Sequence, residues 1–152
     1  MKAVIIQARI SSTRFPSKIF SEIDGEPAIF HVLDECLMSK ADKVILAIPA
    51  NQKKQFKAIW DNYKDIDNFE VHAGSEDNVL ERYYESSNLF DIDTIIRITS
   101  DCFLIKKDFI DRSIDFFDRH DFDYVNNSTV TRVLSEDNPD NYETDVSTPD
   151  GF

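Results

Sequence analysis

The 152-residue chain carries 29 acidic against 17 basic residues, a net charge of −12, with 41% hydrophobic content. That length fits one domain with a usable core, and so acidic a surface repels the polyphosphate backbone of nucleic acids. No apolar run approaches the ~20 residues that cross a bilayer and the N-terminus lacks a signal peptide's layout, so we expect no nucleic-acid partner, no membrane and a cytoplasmic location.

Lys2 to Ala8 (KAVIIQA) is too continuously apolar for a half-exposed strand and reads as a buried central strand of a parallel sheet. A basic stretch follows. Asp24-Gly25 marks a turn, and Ile29, Val32, Leu33, Cys36 and Leu37 recur at helical spacing, which predicts a helix from Pro27 to Ser39. Lys43 to Ile48 (KVILAI) is a second strand stopped by Pro49, and Asn51 to Tyr63 a second helix. Phe69 to His72 is a short third strand. Ser75 reads as the N-cap of a third helix, with Glu76 and Asp77 in its first turn and Val79, Leu80, Tyr83 and Tyr84 buried. Thr94 to Thr99 (TIIRIT) is a fourth strand, Lys107 to Arg119 a fourth helix, and Asp123 to Val125 starts a fifth strand. From Ser128 the regularity fails in an acidic tail.

Alternating strands and helices specify an α/β fold of three layers, a mostly parallel sheet with helices on both faces. Ligands of such sheets sit beyond the strand C-termini. The basic stretch after the first strand and Ser100-Asp101-Cys102 after the fourth both lie at such ends, so both can face one crevice.

The basic stretch is the chain's electrostatic exception. Residues 1–21 hold Lys2, Arg9, Arg14 and Lys18 and no acid, while the other 131 residues hold 13 cations against 29 acids. Arg9, Arg14 and Lys18 are too irregularly spaced for one helical stripe, but in a loop they can converge on one anion, and guanidinium forks with a mobile ammonium suit a polyphosphate. Ser11, Ser12 and Thr13 add hydroxyls and backbone N–H groups. A solvated basic loop without a ligand is the competing reading of the composition. Glycine-rich phosphate loops do not fit, because the chain has only Gly25, Gly74 and Gly151. Asp101, at the end of RITSD, is by itself most simply a helix cap or a partner for Arg97; opposite a polyphosphate it suits Mg²⁺, which takes one or two protein oxygens and fills its shell with water and phosphate. Trp60, the three histidines and Cys36 read as structural, and Cys36 and Cys102 show no metal-ligand spacing.

Three separated motifs, IIQAR-x-x-STR-x-P-x-K, GSEDNVLERYY and R-I-T-x-D-C-x-L, resemble the cytidylyltransferase family that includes CMP-Kdo and CMP-acylneuraminate synthetases, and within it the spore coat polysaccharide biosynthesis protein F branch most closely. The resemblance covers residues 3–127. It implies a nucleotide-diphospho-sugar transferase type fold, CTP as substrate, and Mg²⁺-dependent transfer of a cytidylyl group to an acidic sugar or related acceptor in surface polysaccharide biosynthesis. A homodimer of the full-length form is compatible with it. By this resemblance Arg9, Ser12, Thr13, Arg14 and Lys18 bind the triphosphate, Gly74, Ser75, Glu76 and Asp77 form part of the nucleotide pocket, and Asp101 holds the metal, with Arg14, Lys18 and Asp101 as the catalytic set. The chain departs from the family where glycine is usual, at Ser11 and Ser17, and where proline is usual, at Phe103. Ser17 is the departure expected to disturb the loop's turn. The expected organisation is a nucleotide-binding domain over residues 1–127 and an irregular acidic tail over 128–152 leading into a missing C-terminal part, since Pro149 to Phe152 resembles the lead-in to a further carboxylate motif. A truncated, catalytically incomplete CTP-binding domain is the alternative.

Overall fold

The computed structural model describes residues 1–11, 17–127, 130–135 and 138–146, the last two ranges as backbone only. The chain divides into two compact units, residues 1–112 and 113–152.

The first unit is built on four parallel strands in the order β5-β4-β1-β6: β1 (Lys2–Gln7), β4 (Lys43–Pro49), β5 (Phe69–Gly74) and β6 (Thr94–Thr99). β1 lies between β4 and β6, with Ile5 opposite both Ile45 and Arg97. Ala3 to Ile6 and Val44 to Ala47 are fully buried. Side chains alternate across a strand, so burial of both alternating sets requires cover on both faces, and this is why the two runs are continuously apolar. One face carries Ala3, Ile5, Ile45 and Ala47 against Tyr83, Val79, Phe90 and Ile92 of the α3 (Val79–Leu89) region.

Around Asp24-Gly25 the chain makes a minimal hairpin, β2 (Glu22–Ile23) with β3 (Glu26–Pro27). Asp24 and Gly25 have φ of 52° and 88°, the two positive values that a two-residue primed turn needs. Helix α1 (Ala28–Leu37) then starts one residue later than the sequence suggests, with Pro27 in the capping position, and it buries Ile29, Val32, Leu33 and Cys36 as the spacing predicts. The second predicted helix is shorter than expected. Residues Ala50–Gln52 form a 3-10 turn that buries Gln52, and α2 (Lys57–Tyr63) begins only after Phe56 is buried.

Three expectations need correction. α3 is capped by Asn78, whose Oδ1 accepts the Glu81 N–H at 3.0 Å, so Ser75, Glu76 and Asp77 belong to a loop and not to its first turn. Its inward face carries Tyr83, Arg82 and Ser86, while Leu80 and Tyr84 point outward at 77% and 67% exposure. Asp123 to Val125 is not a strand, and exposed Tyr124 contributes nothing to a core.

Helix α4 (Lys107–Arg119) has the predicted bounds and starts against α1, where Glu35 accepts from Lys106 Nζ at 2.9 Å and from the Lys107 N–H at 2.8 Å. These bonds, that to Lys106 first, hold the Glu35 carboxyl below the usual range. In the second unit, β7 (Val130–Ser135) and β8 (Asn138–Val146) form an antiparallel ribbon within the segment expected to be irregular. The acidic composition of that segment conceals its pairing, because a two-stranded ribbon needs no buried face to write an apolar alternation into the sequence.

Candidate functional site

Because the sheet is parallel, Gln7, Pro49, Gly74 and Thr99 end their strands at the same edge. The loops that follow them share that edge, where α/β sheets bind their ligands.

The loop after β1 is fixed at both ends. The Ser17 N–H donates to the Ile10 carbonyl at 3.1 Å, and the Ile10 N–H donates to Gln52 Oε1 at 2.8 Å. Gln52 Nε2 donates in turn to Ser11 Oγ at 3.1 Å, so Ser11, where the resemblance leads one to expect glycine, is the partner of a buried amide. Ser17 adopts φ 57°, ψ 21°, the left-handed conformation for which glycine is the favoured residue. The turn therefore forms with serine, at the cost of local strain. Directly after it, buried Ile19 anchors the 3-10 turn Lys18–Phe20 and fixes where Lys18 starts.

Across the edge, the Ser100 N–H donates to the Gln7 carbonyl at 3.2 Å and the Cys102 N–H to the Thr99 carbonyl at 3.0 Å, so the chain turns sharply as β6 ends. This turn presents Asp101. Lys18 Nζ donates to Asp101 Oδ2, a pair 83 residues apart in sequence, with both side chains partly open to solvent at 37% and 44% exposure. The ammonium, aided by Thr99, holds the Asp101 carboxyl below the usual carboxylate range. Its cation is Lys18 rather than Arg97, which lies by the Tyr83 hydroxyl. Among the described residues no group of three His, Cys, Asp or Glu side chains can hold a metal by itself. A single ionised, accessible carboxylate fits a divalent cation that arrives on a polyphosphate and fills the rest of its shell with phosphate oxygens and water.

The third loop runs from Gly74 to Asn78. A Cβ at Gly74 would lie 2.5 Å from Glu85 Oε2 and 2.9 Å from His72 Nε2, so a larger residue there would have to displace the ends of these two side chains. Arg82, 1% exposed, donates from Nη1 to the Ser75 carbonyl and to the Glu76 carbonyl at 3.1 Å. Burial, and then the nearby charge of Arg9, lower its pKa. The Ser75 hydroxyl accepts the Asn78 N–H at 3.2 Å, and the Glu76 carboxylate accepts from Asn51 Nδ2. Asp77 is exposed beside them. Two buried polar atoms of the region, Gln7 Oε1 and Arg82 Nε, have no partner among the described residues.

Of the predicted site residues, Lys18 and Asp101 are in direct contact, Arg9 is exposed just beyond β1, Gly74 ends β5, and Ser75, Glu76 and Asp77 lie in the loop after it. Ser12, Thr13 and Arg14 lie outside the described residues. Sequence reasoning missed Asn51, Gln52 and Arg82. Arg82 could have been found, since an arginine at the i+3 position from Val79, on the side of α3 that carries Tyr83 and Ser86, is out of place unless backbone carbonyls receive it.

The family model for cytidylyltransferase matches residues 3–146. The chain belongs to the cytidylyltransferase family. An uncharacterized protein of Methanocaldococcus jannaschii is 33% identical over 135 residues, covering 88% of this chain and 54% of that protein. The 3-deoxy-manno-octulosonate cytidylyltransferase of Blochmanniella floridana is 29% identical over 140 residues, covering 86% and 52%. The chain spans about half the length of these curated relatives. Among solved structures, a cytidylyltransferase from Leptospira borgpetersenii superposes with a TM-score of 0.70 at 27% identity over 79% of this chain and 50% of that one. A CMP:2-keto-3-deoxy-manno-octonic acid synthetase complexed with CTP gives 0.64 at 20% identity over 78% and 47%, a likeness of fold. The α/β fold with a parallel sheet is therefore that of the nucleotide-diphospho-sugar transferases.

Proposed function

We propose that this chain forms the nucleotide-binding part of a cytoplasmic enzyme that transfers a cytidylyl group from CTP to an acidic sugar or a related acceptor, releasing pyrophosphate, in surface polysaccharide biosynthesis of the spore coat type. The observation that carries the proposal is the contact between Lys18 and Asp101 at the strand edge, in a chain whose family is cytidylyltransferase. A cation beside a carboxylate at the strand ends suits a metal-bound triphosphate, which calls for one of each.

In the proposed reaction the acceptor oxygen attacks the α-phosphorus in line. A new P–O bond forms as the bond to the β-phosphate oxygen breaks, the acceptor hydroxyl gives up its proton to solvent, and negative charge builds on the departing pyrophosphate. Lys18, with Arg14, stabilises that charge, and Arg9 holds the triphosphate. Asp101 would hold Mg²⁺, whose chemistry there is to orient and partly neutralise the phosphate oxygens. Lys18 and a cation compete for the same carboxylate, so nucleotide binding turns Lys18 from Asp101 toward phosphate. The loop Gly74 to Asp77 lines the nucleoside end. Catalysis is then mostly positioning plus charge.

The test is pyrophosphate release from CTP with a panel of acidic sugars, run beside CTP binding alone. Release that needs both CTP and an acidic sugar supports transfer; binding without release leaves the alternative of a nucleotide-binding domain without turnover; absence of CTP binding refutes both. A homodimer of the full-length form belongs to the same proposal, and the sedimentation of that form checks it.

A further inference from the structure

Resting on the reading of the edge as a CTP site, we infer that Gln52 is a positioning residue that holds Ile10 and Ser11, and through Ile10 the N–H of Ser17, so that the loop after β1 starts and ends where it can receive the triphosphate. Gln52 is 6% exposed, although its neighbours Asn51, Lys53, Lys54 and Gln55 are all exposed. A residue needed only to fill that space would be aliphatic, since a buried amide is unfavourable unless both its ends are bonded. Both ends are bonded, and to the same loop. Oε1 accepts the Ile10 N–H at 2.8 Å and Nε2 donates to Ser11 Oγ at 3.1 Å. The Ile10 carbonyl accepts the Ser17 N–H that closes the loop, so the bond from Gln52 fixes the residue on which the loop closes. Gln52 itself sits on the 3-10 turn that directly follows β4, which is buried from Val44 onward. The loop is thus referenced to a strand that is buried and paired on both sides. Asn51, on the same turn, bonds the Glu76 carboxylate, which refers the loop after β5 to the same point.

Gln52→Met keeps the volume and removes both hydrogen bonds, whereas Gln52→Ala removes volume and bonds together. In the 152-residue chain, amide exchange at Ile10 and Ser17 is measured by NMR with Ile5 and Ile45 as core controls, beside calorimetric affinities for CTP and for cytidine. For Gln52→Met, Ile10 and Ser17 lose protection while the controls do not, and CTP affinity falls roughly tenfold with little change for cytidine, the size expected from two neutral hydrogen bonds that orient the phosphate loop. A Gln52→Met chain that matches the unaltered protein in exchange and in CTP affinity, with only Gln52→Ala impaired, overturns the inference in favour of packing. A parallel loss of CTP and cytidine affinity overturns it too. If the unaltered chain binds no CTP, the nucleotide reading fails by itself, and exchange at Ile10 and Ser17 alone decides whether Gln52 holds the loop.

Discussion

Strands β1 and β6 lie side by side and lead into the two halves of the site, yet they are built differently. β1 is buried without interruption from Ala3 to Ile6, whereas in β6 Ile95 and Arg97 are exposed and only Ile98 is fully packed. β1 has a strand on each side, and β6 is an edge among the described residues. The cationic loop therefore follows a strand that is buried and paired on both sides. Asp101 depends more on what holds it locally, the Ser100 N–H on Gln7 and the Lys18 ammonium.

The largest expected effect is on the strands themselves. Ile5→Ala opens a cavity between two covered faces and costs about 2–5 kcal/mol, whereas Ile95→Ala, 40% exposed on the edge strand, stays within ~0.5 kcal/mol. Urea unfolding of both variants measures the contrast, and equal losses would break it. A smaller effect of opposite sign is expected at the loop: Ser17→Gly relieves a left-handed serine and raises stability by roughly 1 kcal/mol, read as a higher urea midpoint at unchanged slope. An unchanged midpoint would mean that serine bears no strain there.

The smallest effect concerns pH. Lys18 depresses the Asp101 pKa, so the pair contributes stability that is present above the ordinary carboxylate range, near pH 4, and is lost as pH falls through the folded-state value. Both side chains are partly exposed, so the contribution is small. Lys18→Met raises the Asp101 pKa toward its ordinary value and flattens the acid limb of the stability curve, and carboxyl titration by NMR follows it. A titration that does not move on this substitution would separate Asp101 from Lys18 in solution.

Much of this architecture was legible because it is written locally. β6 and α4 have the predicted bounds, and β1 and β4 announce themselves as apolar runs that only double-sided burial explains. The meeting of Lys18 with Asp101 was legible too, for a topological reason: a parallel sheet sends the ends of its strands to one edge whatever their separation in sequence. The start of α3 was not, since Ser75 and Asn78 are both good caps three residues apart, and only the bond from the Glu81 N–H to Asn78 chooses between them. The buried face of α3 was misread because hydrophobicity favours Leu80 and Tyr84 over Arg82, whose burial is compensated by carbonyls of the preceding loop. Gln52 left no trace at all: its partners are 41 and 42 residues away, and nothing in the sequence around it distinguishes a buried glutamine from an exposed one.

The most direct test is calorimetric titration of CTP, with and without Mg²⁺, into the unaltered chain and into Lys18→Ala and Asp101→Asn. Loss of one charge-assisted contact, about 1.5–3 kcal/mol, gives Lys18→Ala a CTP affinity lower by roughly ten- to a hundredfold, while Asp101→Asn loses the gain that Mg²⁺ confers. Isotherms that are unchanged for both variants would mean that these two side chains meet at the strand edge for a reason other than a metal-bound triphosphate.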